Sequence, residues 1–297
     1  MNQSLRLRVV FLSLVAVAAD CVCVAAEEPS KGHRYIGTTF SQHKMFVMGA
    51  DGKIEWEMPV KDCFDVWQLP NSNFLVVSRA QGILEIDKDK KIVWSYKPDK
   101  ETYGAQRLAN GNTVIGDNEN FRIIEVDKEG KIQHEIKIQT KTDAHHGMRS
   151  VRKLASGNYL TAQRGDSVIR EYDPSGKVVW EYKVPGGAMS ALRLPNGNTL
   201  VASAGAYVVE VDKDLKEAWR FDRKEIPVEL QTKGGGRGYG VQRLPNGNTV
   251  VAFEGSIYEI TPEKKVVWHQ KGDSIKMLMN FQVLDVPGDA LKGEVHR

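Results

Sequence analysis

Leu194-Pro-Asn-Gly-Asn-Thr-Leu-Val201 and Leu244-Pro-Asn-Gly-Asn-Thr-Val-Val251 are nearly the same phrase. Looser copies begin at Leu69, Leu108 and Leu154, and Leu284 falls at the same place in the pattern. About 25 residues after each of the first five leucines comes an aromatic on a short apolar run: Trp94, His134, Trp180, Trp219 and Trp268, with Trp56 ahead of them. A chain that repeats itself every 40–50 residues is a solenoid or a propeller, because each repeat is one supersecondary unit that buries its apolar face only against its neighbours.

The copy around Leu244 shows what the unit is. Residues 240–244 alternate in polarity and end in Pro245-Asn246-Gly247-Asn248. Asn-Gly between two such runs predicts a tight hairpin with both residues at positive φ. Residues 249–253 are a β-branched strand, 256–260 a third and 265–269 a fourth, joined by short polar turns. The turn before the last strand starts with an aspartate in four other copies (Asp87, Asp127, Asp173 and Asp212). Asp at that position hydrogen-bonds its own backbone two residues on. Four antiparallel strands in series make one propeller blade. Five whole copies are present. Residues 35–39, 45–48 and 53–57 supply three more strands, and 279–286 one more. The expected fold is therefore all-β: a six-bladed β-propeller of four-stranded antiparallel blades, its ring closed by the N-terminal strands plus a C-terminal strand, with no open sheet edge.

The first 26 residues read as a secretory leader rather than as part of this fold. Arg6 and Arg8 precede the apolar run 9–19, and Val24-Ala25-Ala26 offers small residues for cleavage before Glu27. The run is too short to span a bilayer. Asp20 before Cys21 and Val22 before Cys23 fit a lipoprotein box poorly. The expectation is an exported protein, periplasmic or extracellular, whose residues 27–297 form a single propeller domain. Loss of Arg6, Arg8 and Asp20 takes the formal charge from +3 to +2. Near-neutral, interspersed charge gives no support for a nucleic-acid partner or membrane insertion. Only Cys63 remains after cleavage, so an internal disulfide is not expected and the core must hold the chain. Nothing in the pattern suggests association, so a monomer is expected.

Spacing locates the function. From repeat leucine to outer aromatic the intervals are 25, 26, 26, 25 and 24 residues, whereas from aromatic to next leucine they are 13, 14, 20, 14, 25 and 16. The length variation lies in the outer-to-inner crossings, which share one face of a propeller, and insertions grouped on one face mark a binding face. The long crossings are 137–148, with Asp143, His145 and His146, and 223–238, with Lys233-Gly-Gly-Gly-Arg237. The second is glycine-rich and basic but lacks the phosphate-loop pattern, which leaves a flexible crossing or a lid. Other residues expected at the same funnel are Asp65, Tyr103, Arg149, Arg152, Met189, Tyr239 and Asn280 from the starts of innermost strands. His43, Arg79, Asp117, Asn118, Gln163, Arg164 and Glu254 come from the loops between second and third strands. Trp67 is also a candidate, since Gln106, Arg152, Leu192, Gln242 and Gln282 occupy its place elsewhere. The other five tryptophans recur, which marks them as packing between blades.

Adjacent His145 and His146 in an insertion could supply a nucleophile or a base. Their spacing does not match a zinc pair, and no metal or cofactor is expected. Strand alternation would point Arg149 and Arg152 to opposite faces, so that only one presents its guanidinium to an anion in the funnel.

The phrases Arg243-Leu-Pro-Asn-Gly-Asn-Thr249, Val208-Val-Glu-Val-Asp212 and Gly176-Lys-Val-Val-Trp-Glu-Tyr182 resemble the repeats of quinoprotein-like (PQQ-like) propellers and, equally, of the bacterial arylsulfate sulfotransferase propellers. The resemblance covers roughly 35–286. The quinoprotein likeness implies eight blades with a quinone and calcium; six blades and no recognisable calcium-ligand set speak against that cofactor here. The sulfotransferase likeness implies six blades, export, and a funnel histidine that accepts the sulfuryl group among basic residues. His145 or His146, with Arg149 or Arg152, would fill those roles. The leading expectation is a propeller that binds a small molecule, glycan or protein at its funnel without catalysis. The alternative is a funnel enzyme of sulfotransferase-like or sugar-acid chemistry that uses His145 or His146, with Arg149 as the anion anchor.

Overall fold

Every hairpin expected from the repeat forms. The computed structural model describes residues 32–233, 236–253 and 255–286; the proposed leader, residues 1–26, and Glu254 lie outside them. The described residues build six four-stranded antiparallel sheets. Blade 1 takes its innermost strand, Leu278–Val283, from the end of the chain and the other three from its beginning: Tyr35–Thr39, Lys44–Met48 and Ile54–Pro59. The closing register pairs Tyr35 with Val283 and Gly37 with Phe281. Blades 2 to 6 have innermost strands Cys63–Gln68, Ala105–Arg107, Met148–Lys153, Ala188–Arg193 and Gly238–Arg243, and each runs outward through three more strands. Tyr35–Thr39, Thr249–Phe253 and Ser256–Ile260 have the limits read off the sequence, and the limits of other strands differ from it by one to three residues.

The first three strands of each blade are buried almost throughout, while outer strands such as Ile54–Pro59 alternate between half-buried and exposed. The apolar core is divided among six clusters, each lying between two neighbouring blades. Blades 5 and 6, for example, meet through Leu200, Val208, Phe221, Val251, Phe253 and Ile260. Burial of such side chains stabilises each seam by about 1.5–3 kcal/mol apiece.

The repeated phrase is the polar half of the same seams. Its hairpin differs from the expected one: only the glycine (Gly247, φ +88°; Gly197, φ +85°) is left-handed. The first asparagine instead accepts a hydrogen bond from the amide two residues on, as Asn246 does from Asn248 at 3.0 Å. That local bond satisfies the turn without a second strained residue. The second asparagine donates to a third-strand glutamate: Asn73 to Glu85, Asn158 to Glu171, Asn198 to Glu210 and Asn248 to Glu259, at 2.6–2.8 Å. The base just before the next blade's leucine then pairs with that glutamate: Arg107 with Glu85 (2.7 Å), Arg193 with Glu171 (2.6 Å) and Arg243 with Glu210 (2.7 Å), with Lys153 serving Glu125. The outer tryptophans join blades as expected. Trp56, Trp94, Trp180 and Trp219 donate to carbonyls of Lys88, Lys128, Lys213 and Pro262 in the next blade's turn.

Candidate functional site at the channel mouth

The ladder between innermost and second strands is broken at the same place in blade after blade. In blade 4, Met148 pairs with Gln163 and Ser150 with Ala162, so that Arg149 is left out. Met189 is skipped likewise in blade 5 and Met279 in blade 1. In blades 2 and 6, two residues are skipped: Phe64 with Asp65, and Tyr239 with Gly240. A bulge bends the strand and re-aims the unpaired side chain. Here the skipped residues other than Gly240, together with Tyr103 and Asn280, line a cavity that opens to solvent: Phe64, Asp65, Tyr103, Arg149, Met189, Tyr239, Met279 and Asn280. Six of these, one per blade, stand five residues before a repeat leucine.

Within that ring of Phe64, Tyr103, Arg149, Met189, Tyr239 and Met279, Arg149 alone is charged. Its guanidinium lies 3.9 Å from the centroid of the Tyr103 ring and 6.0 Å from that of Phe64. One of its nitrogens donates to the His145 carbonyl at 2.6 Å. Its Nε is buried without a hydrogen-bond partner, and no carboxylate forms an ion pair with it among the described residues. Arg107 and Arg243 also have an orphaned Nε, but each keeps a glutamate. Burial pulls the Arg149 pKa down from the ordinary arginine value; attraction from Tyr103 opposes it, and Arg164 adds a smaller repulsion. A buried guanidinium with no protein carboxylate is a standing demand for an anion.

The bulge also corrects the expectation that Arg149 and Arg152 point to opposite faces. Arg152 too turns inward and reaches from blade 4 to Asp65 of blade 2, with N–O distances of 2.9 and 3.3 Å. Its guanidinium lies 4.7 Å from the Trp67 ring. Asp65 further accepts from Asn280 at 2.8 Å. Trp67 is buried and donates to the Ala105 carbonyl at 2.9 Å. It thus does the work of Gln106, Gln242 and Gln282, whose side-chain oxygens accept from the next blade's backbone. Arg152, Asp65 and Trp67 are a girdle of the channel, and of the three only Asp65 also lines the cavity.

The crossing with the histidines forms one turn of 3-10 helix, Ala144–His146, capped by Asp143. Asp143 accepts both the His146 amide and its Nδ1 at 2.8 Å. Those bonds, backbone first, hold its carboxyl below the usual range. His145 turns the other way, and its Nδ1 lies 3.0 Å from the Tyr103 hydroxyl. That hydroxyl donates a short hydrogen bond to Glu101. Burial, then Glu101, pushes the phenol up to about 12.

Other expected site residues do not line the cavity. Asp117 is buried and bonded to Arg122 at 2.7 Å and to Asn120, and so fixes a loop rather than lining the cavity. His43 and Arg79 share Asp62, and Arg79 also interacts with the Tyr103 hydroxyl from behind the cavity wall. Arg164 is half-buried and Arg237 exposed; Glu254 lies outside the described residues. Gly234 and Gly235 of the basic crossing also lie outside them, but the segment before is strapped down. Ile226 is buried in the seam of blades 5 and 6, and the Leu230 carbonyl accepts from Tyr258 at 2.9 Å. Phe64 and Met279 were not singled out from the sequence, although they fill the same column of the repeat as Tyr103 and Arg149. Among the described residues no three His, Cys, Asp or Glu side chains gather to hold a metal, and no helix is long and apolar enough to cross a membrane.

Residues 96–226 match the family model of arylsulfotransferase (ASST). Among solved structures, a protein of unknown function from Bacteroides caccae superposes with a TM-score of 0.72 at 22% identity, over 84% of this chain and 98% of its own. A streptogramin B lyase reaches 0.58 at 14% identity over 84% and 85% of the two chains. A virginiamycin B lyase from Staphylococcus aureus reaches 0.56 at 15% over 82% and 86%. At these identities the likeness speaks to the fold. No curated protein gives a significant sequence match. By its repeats, its six blades and the match over residues 96–226, the chain carries an arylsulfotransferase-like β-propeller.

Proposed function

We propose that the channel mouth of this exported propeller binds a small anionic molecule, with Arg149 as its anchor. The observation that carries the reading is the guanidinium itself: buried to 9% exposure, lining the cavity, and in no ion pair with a carboxylate among the described residues. The cavity is concave, opens to solvent and is lined by residues from all six blades, a setting that suits a small molecule or the acidic end of a glycan. Its walls of Phe64, Tyr103, Tyr239, Met189 and Met279 suit an anion attached to an apolar or aromatic body. Calorimetry with aryl sulfates, aryl carboxylates and acidic sugars tests this. Wild type should bind at least one of them, and Arg149→Ala should weaken that binding about 30-fold or more, as expected for loss of a buried charge-assisted contact. Binding that survives Arg149→Ala would sink the proposal.

A second reading, sulfuryl transfer, is favoured by the family match, since residues 96–226 include Tyr103, His145, His146, Arg149 and Arg164. In it a histidine ring nitrogen attacks the sulfur of an aryl sulfate. The sulfur–oxygen bond to the ring breaks, and the phenolate leaves with the electron pair and takes a proton from solvent. The sulfuryl group then passes to an acceptor hydroxyl, whose proton is released. Arg149 would neutralise the sulfate oxygens. Turnover of an aryl sulfate that disappears in His145→Ala and persists in His146→Ala would support it; no turnover in the wild type would remove it.

A further inference from the structure

We infer that Glu101 and Tyr103 are positioning residues that hold the His145 imidazole with its proton on Nδ1, leaving the Nε2 lone pair as the group available for chemistry at the mouth. The inference rests on the reading of this mouth as the functional site and names the machinery behind it.

The argument is one of donors and acceptors. A carboxylate has no proton to give, so in the Tyr103–Glu101 hydrogen bond the phenol donates. A phenol has a single proton. Once it is committed to Glu101, the Tyr103 oxygen can only accept from its other neighbours, which are the His145 Nδ1 at 3.0 Å and the Arg79 and Arg149 guanidinium groups, both obligate donors. The imidazole therefore carries hydrogen on Nδ1, and in the neutral ring Nε2 is the bare nitrogen. The second oxygen of Glu101 stands 3.8 Å from Nδ1, too far for a hydrogen bond, but its negative charge favours a proton there. Among the described residues Nε2 has no hydrogen-bond partner, and the His145 side chain is half exposed.

The same chain of contacts ties the ring to the cavity. Tyr103 is buried in the cavity wall, edge-on to Phe64 at 4.6 Å and under the Arg149 guanidinium. Arg149 in turn donates to the His145 carbonyl. His146 lacks this link. Its partner Asp143 is an exposed residue of the same turn, and the pair serves to cap that turn. Of the two histidines, His145 is the one coupled to the cavity.

Side-chain 15N spectroscopy of histidine-labelled protein, with His145 assigned through His145→Ala, reads the tautomer directly and needs no ligand. The wild type should show a protonated Nδ1 and a bare Nε2. Tyr103→Phe keeps the ring packed while removing the acceptor. Glu101→Gln supplies an amide that can donate to the phenol, freeing the phenol's own proton for Nδ1. In both variants the resonances should exchange character toward the form protonated on Nε2. A wild-type ring protonated on Nε2 overturns the inference, whatever the variants do. So does a ring that stays protonated on Nδ1 in folded Tyr103→Phe. Intact anion binding alongside either result leaves the function proposed for Arg149 standing. The converse pattern, an Nδ1 proton in a protein that binds no anion, removes that function and keeps the relay.

Discussion

The six innermost strands are built in opposite ways at their two ends. Where they begin, at the channel mouth, the ladder is bulged in five of the six blades, and the residues that face the cavity there differ from blade to blade: Phe64, Tyr103, Arg149, Met189, Tyr239 and Met279. Where they end, pairing is regular and one lock recurs, a base on a glutamate that an asparagine also holds. The lower end cannot vary without loosening a seam. The upper end can, because a bulged side chain is released from the ladder. The anion anchor proposed for Arg149 lies where the repeat has let go of its own backbone.

Several substitutions would break or sharpen this contrast. The largest effect is expected at the regular end. Glu210→Ala strands Arg243, Asn196 and Asn198 together and should lower stability by about 3 kcal/mol, as for other pairs that lose one partner out of water, while anion binding at the mouth is unchanged. Urea denaturation checks it, and a loss well under 1 kcal/mol would show the lock to be ornamental. Next comes Ser72, the one copy of the hairpin with a side chain at the left-handed position (φ +66°), where the others carry Gly111, Gly157, Gly197 and Gly247. Ser72→Gly should stabilise by about 1 kcal/mol through relief of that conformation, read from the same curves. Arg149→Ala, by contrast, should leave stability within about 1 kcal/mol of wild type despite its burial, because it removes a desolvated cation that no carboxylate offsets. A fall of several kcal/mol would make Arg149 part of the scaffold.

The subtlest effect concerns the seam where the ring closes. Glu259 has no arginine before Leu284 to meet it, since Val283 stands there. His33 takes the place instead, 3.0 Å from Glu259, 3.3 Å from Asp285 and edge-on to Trp268. Burial alone would lower the His33 pKa, but Glu259 and Asp285 together outweigh it and raise the value above 6.5. A histidine raised in the folded state lends stability that is complete below about 6.5 and is lost as pH climbs through the folded value. Glu259 is a carboxyl whose own burial is overcome by His33 and Asn248, and it is lowered below 4.5. It acts in the opposite sense, and its contribution is lost as pH falls. Melting temperatures should therefore decline between mildly acidic and alkaline pH. His33→Arg should flatten that slope, and an unchanged slope would show that the fifth lock does not titrate.

The contrast also explains what could be read from sequence. Blade count, ring closure and the packing role of the tryptophans are written in periodicity, because seams demand the same residues at the same spacing. Tyr103, Arg149, Tyr239 and Asn280 were legible because a break in chemistry shows against a regular column. Phe64 and Met279 were passed over because a Phe or a Met looks like core anywhere. The joint turn of Arg149 and Arg152 into the channel was hidden, since alternation is a property of one strand and a bulge is a property of two. From sequence Asp117 reads as a funnel group, because Arg122, its partner, lies five residues away in a strand where its role cannot be seen.

The union of Tyr35–Thr39 with Leu278–Val283 also bears on how the molecule is made. Two segments some 240 residues apart in the chain must find one another before either has a complete sheet, and contacts of such long range form slowly. Until the last strand emerges, blade 1 presents the bare edge of Tyr35–Thr39 to any other chain nearby. Assembly can proceed blade by blade from the middle, but the ring becomes a ring only at its last step.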